Sequence, residues 1–473
     1  MRVLILEPPT GAPIHQTDRR FLSIAVDWAL ILGERWWDGT RRTRAGFGNV
    51  RAPRIDLSDE RIIKAAAALS PAYLRVGGSE SDRMSFEPDD GELESSGGGA
   101  KQACPTLLTG ARWNEVADFA EASNLDLFVC VGAGACARDH AGRWTPESFQ
   151  RFLYHVVKRG QKVPIWELGN EVNGFPFIHG PSARVSPKQY AKDFELFRAH
   201  LREQMPDSRA AGPAAAVWPV IGEPVPMARR VAKRLGPHLD MLTWHYYPYQ
   251  SRRGVIGTRR VRPRTALRPR ARRSARRLAG RMRRFSRENG VPAVWLSETG
   301  QALFGGQAGV SDRLIGSLWW LDHLGNMANS GVDGVVRQAL VGGEYGLLSQ
   351  VGAHPRPDFW ATLIWKISMG SSVYESLEAG KSLQAYRHSS PDQEGGWSAV
   401  ITNRSRRKRA LIRLPEACRG WLLDGPPDGF RVRLNGTFLG PEDVPSRESL
   451  PQMAEFSGEV VLPPVSALVV RFV

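Results

Sequence analysis

Two glutamates stand where short apolar runs of the chain end, Glu171 in WELGNEV and Glu298 in WLSETG. Two carboxyl groups about 5–5.5 Å apart can hydrolyse a glycosidic bond with retention, because one donates a proton while the other attacks the anomeric carbon. Either glutamate alone could equally be an ordinary polar residue at the end of a strand. The pair, with Asn170 directly before the first, favours catalysis, and we take both as candidate catalytic residues.

These glutamates belong to a series of eight short β-rich runs that alternate with helix-like stretches. The runs are residues 21–26, 72–78, 125–133, 164–170, 208–216, 240–247, 293–300 and 333–341. Such alternation predicts an α/β fold, a (β/α)8 TIM barrel formed by residues 19–368. Barrels of this kind place their sites at the C-terminal ends of the strands. Glu171 after strand four and Glu298 on strand seven should therefore face one cleft.

The pattern changes after about residue 370, where short alternating strands follow one another without a convincing helix. Turn residues separate these strands roughly every 8–12 positions, which is typical of a β-sandwich. We predict an appended all-β sandwich domain at residues 369–473, which residues 1–18 join as an N-terminal strand. The composition of residues 91–101, GELESSGGGAK, predicts a flexible surface loop.

The composition is that of a folded protein, with 42% hydrophobic and 24% charged residues in a chain of 473. No apolar window is long enough to span a membrane. Glu7 and two prolines break the first apolar run, which predicts a strand rather than a signal peptide. Four cysteines are too few for a disulfide framework and lack metal-ligand spacing, so we expect neither a metal nor a cofactor.

The net charge of +16 comes from one segment of the chain. Residues 252–287 contain sixteen arginines and no Lys, Asp or Glu, so the remainder carries no net charge. Charges act within a Debye length of about 8–10 Å, so such a patch predicts a polyanionic partner. The alternative is a general preference for arginine in this proteome, since only ten of the 64 basic residues are lysine. The segment lies between strands six and seven and shows no nucleic-acid-binding motif.

Two features divide this arginine-rich segment. Pro263 and Pro269 should keep its first half out of a helix, and Leu278, Met282 and Phe285 form a stripe that predicts an amphipathic helix in its second half. The first half should border the cleft and the second should lie on the flank of the barrel. Guanidinium groups bind sulfate and carboxylate through paired N–H donors. The candidate polyanion-binding residues are Arg252, Arg253, Arg259, Arg260, Arg262 and Arg264.

The segments WELGNEVNGF, TWHYYP and VWLSETG, the last followed by FGG, resemble the heparanase-type enzymes of glycoside hydrolase family 79, within the Asn-Glu clan of retaining barrel enzymes. Counterparts of LSPAYLRVGGSESD, VVRQALVGGEYGLL, VRLNG and LPPVSALVVRF occur in the same order, so the resemblance covers nearly the whole chain. It implies a bacterial heparanase-like endo-β-glucuronidase built from a barrel and a β-sandwich.

The resemblance implies catalytic roles at matching positions. Glu171 would be the general acid/base and Glu298 the nucleophile. Tyr247, or alternatively Tyr246, would orient the nucleophile. Asn170 would hydrogen-bond the 2-hydroxyl of the sugar, a contact that strengthens in the transition state.

The resemblance also implies a set of substrate-binding residues. Tyr345 and the backbone N–H groups at Gly305 and Gly306 would receive a glucuronate carboxylate, because such donors suit a planar anion. The other residues expected to line the cleft are Asp27, Ser79, His245 and Gln338. The last two could equally do no more than support the rim of the barrel.

The resemblance and the arginine-rich segment together predict a retaining glycoside hydrolase that cleaves β-glucuronidic linkages, endo-acting on heparan sulfate or heparin through a covalent glycosyl-enzyme intermediate. An exo-β-glucuronidase, or an endo-glucuronidase that cleaves hyaluronan, is an alternative. A non-catalytic polyanion-binding barrel protein is the alternative from another class. We expect a monomer that binds an anionic polysaccharide and no nucleic acid. Such a substrate implies an extracellular or periplasmic location, although no signal peptide is visible.

Overall fold

The structure is a computed structural model that describes residues 1–36, 50–88, 104–254 and 257–472. The predicted flexible loop at residues 91–101 lies outside the described residues. Within the described ranges, no helix combines the length and the apolar character needed to cross a bilayer.

Eight parallel strands close into a barrel in chain order, each hydrogen-bonded to its neighbours and the eighth to the first. Each of the eight predicted runs overlaps one of them and differs from it by a few residues at the ends, which confirms the predicted barrel. The barrel strands are Leu22–Asp27, Tyr73–Gly77, Asp126–Val131, Ile165–Leu168, Arg209–Val217, Met241–Tyr246, Ala293–Thr299 and Gly334–Arg337.

One long helix follows each barrel strand, as a (β/α)8 fold requires. These helices are Glu60–Ala68, Gly110–Ala122, Glu147–Lys158, Pro187–Gln204, Ala228–Leu235, Pro269–Glu288, Leu314–Ala328 and Pro357–Ser368. Shorter helices and 3₁₀ turns lie at Trp28–Leu32, Ser79–Arg83, Ala135–Ala137, Val172–Gly174, Phe175–Ile178, Pro181–Ala183 and Gly236–His238. Small two-stranded sheets pair Arg35–Trp36 with Val50–Arg51, Met84–Glu87 with Thr106–Thr109, and Tyr249–Gln250 with Ala302–Leu303.

A ring of eight buried side chains, one from each strand, fills the lower part of the barrel interior. The ring consists of Ala25, Tyr73, Phe128, Ile165, Ala211, Met241, Trp295 and Val336. Side chains two positions apart on a strand face the same side, so the residues two positions further along also point inward. That next layer is largely polar and includes Asp27, Arg75, Cys130, Glu167, Thr243, Ser297 and Gln338. The apolar ring therefore lies beneath a polar layer, and Glu171 and Glu298 lie above that layer.

The C-terminal strands form two sheets that enclose a second core. The larger sheet contains His15–Gln16, Ser372–Ala379, Leu383–Ser389, Trp397–Asn403, Ser466–Phe472, Cys418–Asp424, Val432–Leu434 and Thr437–Leu439, with Ala454–Phe456 paired to its side. The smaller sheet contains Arg2–Ile5, Ala410–Arg413 and Glu459–Leu462, and its first strand runs parallel to its second. Apolar side chains from both sheets meet between them. This is the predicted all-β sandwich, whereas the boundaries at residues 18 and 368 stay a prediction.

The arginine-rich segment forms irregular turns followed by the helix Pro269–Glu288. Leu278, Met282 and Phe285 are buried on its inner face, so the predicted amphipathic helix is confirmed. Pro269 is the first helical residue rather than an interruption, because a helix leaves its first N–H groups unpaired and proline lacks one. The outer face exposes Arg270, Arg273, Arg276, Arg277, Arg281, Arg284 and Arg287.

Candidate active site

Two acidic side chains face each other above the polar layer of the barrel. Glu298 lies near the end of the seventh barrel strand, and Glu171 lies in the turn that follows Leu168, the last residue of the fourth. Glu171 has a φ of 55°, which non-glycine residues seldom adopt, and its N–H donates to the carbonyl of Ala214 over 3.1 Å. Carboxyl oxygens of the two glutamates and a ring nitrogen of His245 all lie within 4.8 Å of one another.

Glu298 accepts hydrogen bonds at both of its oxygens. The Tyr247 hydroxyl donates to Oε1 over 2.7 Å, and Nη1 of Arg75 donates to Oε2 over 3.1 Å. Burial, and the nearby Glu298 charge, raise the pKa of Tyr247 far above its ordinary value, so this hydroxyl remains a donor. The two donors hold the side chain in one position.

Arg75 is completely buried and connects several residues of the site. Its Nε and Nη2 donate to Oε2 of Glu167 over 2.9 and 2.8 Å, and Nη2 also donates to Oδ1 of Asn170 over 3.0 Å. Burial opposes its charge, but Glu167 and Glu298 raise the pKa of Arg75 above its ordinary value. A guanidinium only donates, so the amide oxygen of Asn170 faces Arg75 and its NH₂ group is the end left to bind a ligand.

His245 lies between the two glutamates. Its Nδ1 is 3.2 Å from Oε1 of Glu171 and 3.6 Å from Oε2 of Glu298, and its Nε2 is 3.3 Å from Nη2 of Arg75. Burial lowers the pKa of His245 to about 4, although the Glu298 charge opposes the shift, so the ring is neutral at neutral pH. Because Arg75 must donate to Nε2, the ring proton is on Nδ1 and is donated to Glu171.

Two other carboxyl groups of the site retain protons near neutrality. Burial raises the pKa of Glu171 to about 7, although the charge of Arg75 opposes the shift. Burial and the Glu298 charge together raise the pKa of Asp27 to about 8, and Nε2 of Gln338 donates to Oδ1 of Asp27 over 2.8 Å. The site can therefore supply a proton and a negative charge to the same bond.

The turn after the second strand approaches Asp27 closely. Gly78 has a φ of 94°, and a Cβ atom at this position would lie 2.9 Å from the carboxyl group of Asp27. Glycine is the one residue that adopts this positive φ readily and places no Cβ atom against the carboxyl group of Asp27. Ser79, the predicted cleft residue that comes next, is half-buried at the start of the 3₁₀ turn.

Asp82 joins the turns that follow strands two, three and four. Its Oδ1 accepts the N–H of Ala133 over 2.8 Å, and its Oδ2 accepts the N–H of Asn170 over 3.0 Å. Burial raises the pKa of Asp82 to about 7, although the two N–H donors oppose the shift. This carboxyl group holds the backbone of Asn170, and hence the start of the turn that carries Glu171.

Gly305 and Gly306 form a turn beside Tyr345. Their φ values are 78° and 83°, and a Cβ atom on Gly306 would lie 2.6 Å from the nitrogen of Tyr345. The ring of Tyr345 stacks on that of Tyr247, with centroids 6.1 Å apart. The N–H of Gly306 donates to the carbonyl of Ala302 over 3.0 Å, so it is used within the turn. The expectation that the Gly306 N–H receives a ligand is therefore wrong, whereas the role of the Gly305 N–H stays a prediction.

The six candidate polyanion-binding arginines divide into two groups according to their exposure. Arg252, Arg262 and Arg264 are exposed, whereas Arg253, Arg259 and Arg260 are half-buried. The side chains of the first group are the ones that are fully accessible to solvent.

Arg253 and Arg260 bind the protein itself, which corrects their assignment as polyanion-binding residues. Arg253 pairs with Glu344 and donates to the carbonyls of Phe304 and Gly306 over 3.3 and 3.4 Å. Arg260 donates to two carbonyls of its own loop over 2.9 and 2.8 Å. Carbonyl and carboxylate oxygens accept the hydrogen bonds of these two guanidinium groups. Arg253 therefore holds the turn formed by Gly305 and Gly306 in place.

The sequence reasoning missed Arg75, Glu167 and Asp82. Arg75 and Glu167 had a signal, because each is the one charged residue within its barrel strand, two positions beyond a core residue. Asp82 had none, because its role depends on backbone N–H groups from loops that are distant in the sequence.

The donor atoms of Glu171, His245 and Glu298 are close enough to hold a metal ion. The guanidinium of Arg75, however, contacts both Glu298 and His245. Its permanent positive charge opposes a divalent cation at this position. The residues present therefore fit proton transfer better than metal binding.

A closed barrel with two glutamates after strands four and seven, one of them bound by a tyrosine, has the architecture of the barrel glycoside hydrolases. The sequence model of glycosyl hydrolase family 79, N-terminal domain, matches residues 9–325. The chain belongs to this family and is a glycoside hydrolase.

Proteins similar to this chain include several glycosidases. Heparanase of Mus musculus is 26% identical over 96% of this chain and 89% of that protein. Baicalin-β-D-glucuronidase of Scutellaria baicalensis is 25% identical over 83% of this chain and 76% of that protein. The solved structure of a 4-O-α-L-rhamnosyl-β-D-glucuronidase from Fusarium oxysporum has a TM-score of 0.69 and 12% identity, and covers 99% of this chain and 100% of that one. This last likeness supports the fold.

Replacing Arg75 should destabilise the barrel. The Arg75→Met variant leaves Glu167 and Glu298 buried without their cation, which should lower the free energy of unfolding by about 3–5 kcal/mol. Urea unfolding followed by tryptophan fluorescence measures the loss. The double variant Arg75→Met/Glu167→Met removes one unpaired charge and should regain part of it. A single variant as stable as the unaltered protein would show that Arg75 does not neutralise these carboxylates.

Proposed function

We propose that this chain is a retaining β-glucuronidase that cleaves a glucuronate-containing polysaccharide of the heparan sulfate type internally. The observation that carries the proposal is the proximity of Glu171 and Glu298, whose carboxyl oxygens lie within 4.8 Å. Inverting enzymes need roughly 6.5–9.5 Å between carboxyl groups to accommodate a water molecule, whereas retaining enzymes have about 5–5.5 Å. The spacing supports retention and a covalent glycosyl-enzyme intermediate.

In the first step, a carboxylate oxygen of Glu298 attacks the anomeric carbon. A bond forms between this oxygen and the sugar while the bond to the leaving oxygen breaks. Glu171 gives its proton to the leaving oxygen, a role that suits a carboxyl group with a pKa of about 7. Tyr247 and Arg75 hold Glu298 ready for attack.

In the second step, water releases the sugar from Glu298. Glu171, now a carboxylate, takes a proton from the water while the water oxygen attacks the anomeric carbon. Neutral His245 donates to Glu171 through Nδ1 and holds the same side chain in position for both steps. The enzyme returns to its starting protonation state.

The groups around the glutamates suit a glucuronate ring. The NH₂ group of Asn170 can donate to the 2-hydroxyl, because Arg75 occupies its amide oxygen. The Gly305 N–H and the Tyr345 hydroxyl form the predicted carboxylate site. These donors favour a sugar acid over a neutral sugar.

Exposed arginines support a long anionic substrate. Arg252, Arg262 and Arg264 are exposed on the segment after strand six, and the outer face of the helix Pro269–Glu288 continues this positive surface. The name of the Mus musculus relative, heparanase, agrees with a substrate of this charge. A non-catalytic polyanion-binding protein would not need two glutamates, Glu171 and Glu298, held close together by hydrogen-bond donors.

An apolar rim favours a second candidate, an exo-β-glucuronidase that acts on small glucuronides. Phe177 is 65% exposed in the short helix Phe175–Ile178 after strand four, and Val220 and Ile221 are 70% and 60% exposed in the turn after strand five. Exposed apolar groups beside a cleft suit an apolar leaving group. The Scutellaria baicalensis relative is named a β-D-glucuronidase of baicalin.

Removing the nucleophile should abolish hydrolysis. Glu298→Gln should lower kcat on an aryl β-glucuronide by several orders of magnitude, roughly 5–8 kcal/mol in activation free energy, because an amide cannot attack the anomeric carbon. Proton NMR of the first sugar released by the unaltered enzyme should show the β-anomer. Glu203→Gln, on the exposed face of the helix Pro187–Gln204, is the matched control because it leaves the whole site in place. A first-formed α-anomer would contradict retention.

The rate of glycosyl transfer should fall as pH rises through about 7. Burial raises the pKa of Glu171 to about 7, so its proton is present below this pH and is lost above it, about tenfold per unit. The pH dependence of kcat/KM for a glucuronide with a poor leaving group measures the loss. An aryl glucuronide with a good leaving group needs less proton donation and should depend less on pH. Equal pH profiles for both substrates would show that Glu171 is not the general acid.

Heparan sulfate digestion should shorten the chains before free glucuronate appears, as size-exclusion chromatography can measure.

Changing Arg252, Arg262 and Arg264 together to serine should lower kcat/KM for the polysaccharide about tenfold at low salt, because exposed ion pairs contribute about 0.2–1 kcal/mol each. The rate on an aryl glucuronide should not change.

The matched control for this experiment changes three helix arginines, Arg273, Arg277 and Arg284, to serine. This variant carries the same net charge but should lose less polysaccharide activity. Free glucuronate as the first product would favour the exo-acting candidate. An equal loss on the small substrate would show that the three loop arginines support the structure of the cleft.

A further inference from the structure

Two thiols lie together at the mouth of the barrel, outside the glutamate site. Cys104 precedes the short strand Thr106–Thr109, and Cys136 lies in the 3₁₀ turn Ala135–Ala137 after the third barrel strand. The Sγ of Cys104 is 3.9 Å from the carbonyl oxygen of Cys136, and the Cys104 thiol is close enough to the Cys136 thiol to help raise its pKa. Both residues are half-buried, so a small oxidant can reach them.

We propose that Cys104 and Cys136 are a redox-active pair that a small disulfide, such as oxidised glutathione, converts into an intramolecular disulfide bond. The remaining two cysteines are unsuited to such a reaction. Cys130 is fully buried in the polar layer of the barrel, and Cys418 lies in the sandwich, where its Sγ is 3.6 Å from the carbonyl oxygen of Phe456. The pair therefore makes one local link rather than a disulfide framework.

The reaction proceeds by two thiol–disulfide exchanges. A thiolate of one cysteine attacks the small disulfide, forms a mixed disulfide and releases one small thiol. The second cysteine attacks the protein sulfur of the mixed disulfide and releases the other small thiol, so two protein thiols are oxidised as one small disulfide is reduced. Burial, together with the Cys104 thiol, raises the pKa of Cys136, which lowers the fraction of its thiolate form.

The link would restrain a turn on which the glutamate site depends. Residues 132–134 precede Cys136 and pack against Asp82, where a Cβ atom on Gly134 would lie 2.2 Å from the Asp82 carbonyl oxygen. Asp82 in turn accepts N–H groups from Ala133 and Asn170. A covalent bond between positions 104 and 136 would hold this turn without touching the catalytic groups. It should raise thermal stability and leave activity at ambient temperature unchanged.

Thiol counting tests the pair. The full-length protein is incubated with oxidised glutathione, quenched with acid, unfolded and alkylated, and the labelled cysteines are counted by mass spectrometry. Two of the four cysteines should carry label, compared with four after prior reduction. Trypsin should then yield the peptide of residues 102–112 joined to that of residues 113–138, and fragmentation should place the link at Cys136 rather than Cys130.

Single variants provide the controls. Cys418→Ser should still form the link, with one labelled cysteine, whereas Cys104→Ser and Cys136→Ser should not form it. Oxidation should raise the Tm of the unaltered protein by about 3 °C, since closing the loop constrains the unfolded chain, and should leave both of these variants unshifted. Four labelled cysteines, a stable mixed disulfide or a link through Cys130 would overturn the proposal. The number of labelled cysteines in the unaltered protein tests the proposed disulfide even if a variant fails to fold.

Discussion

One guanidinium, that of Arg75, is shared by two carboxylates, Glu167 and Glu298, in the interior of the barrel. Buried charges are costly unless an opposite charge and hydrogen bonds accompany them, and a single cation can compensate few acids. The neighbouring acids Glu171 and Asp27 instead keep their protons near neutrality, because burial raises their pKa to about 7 and 8. Arg75 thus compensates the two acids that it contacts, while burial leaves Glu171 able to donate a proton.

The sequence was informative wherever a local pattern determines the structure. Eight apolar runs between helical periods predicted the barrel strands, and the strand order placed Glu171 and Glu298 at one mouth. The candidates Tyr247, Asn170 and His245 came from the resemblance, and the structure brings them into contact with the glutamates or with Arg75. What these predictions share is that each residue directly follows or lies within a recognisable strand.

Other parts of the site could not be predicted, because they depend on which donors and acceptors pair with one another after folding. Arg253 and Arg260 looked like their exposed neighbours in the sequence, yet backbone carbonyls and Glu344 occupy their guanidinium groups. Asp82 accepts backbone N–H groups, which every residue possesses, so no side-chain pattern marks it. Charge composition predicts a basic surface but does not say which arginines form it.

The ring of eight side chains beneath the polar layer has a consequence for the order of events in catalysis. Tyr73, Phe128 and Trp295 are its large members and close the floor of the barrel. Substrate, hydrolytic water and exchangeable protons must then share a single vestibule on the opposite side. Under the proposed retaining mechanism, a bound leaving group would occupy the path of the water, so the glycosyl-enzyme would have to wait for its departure.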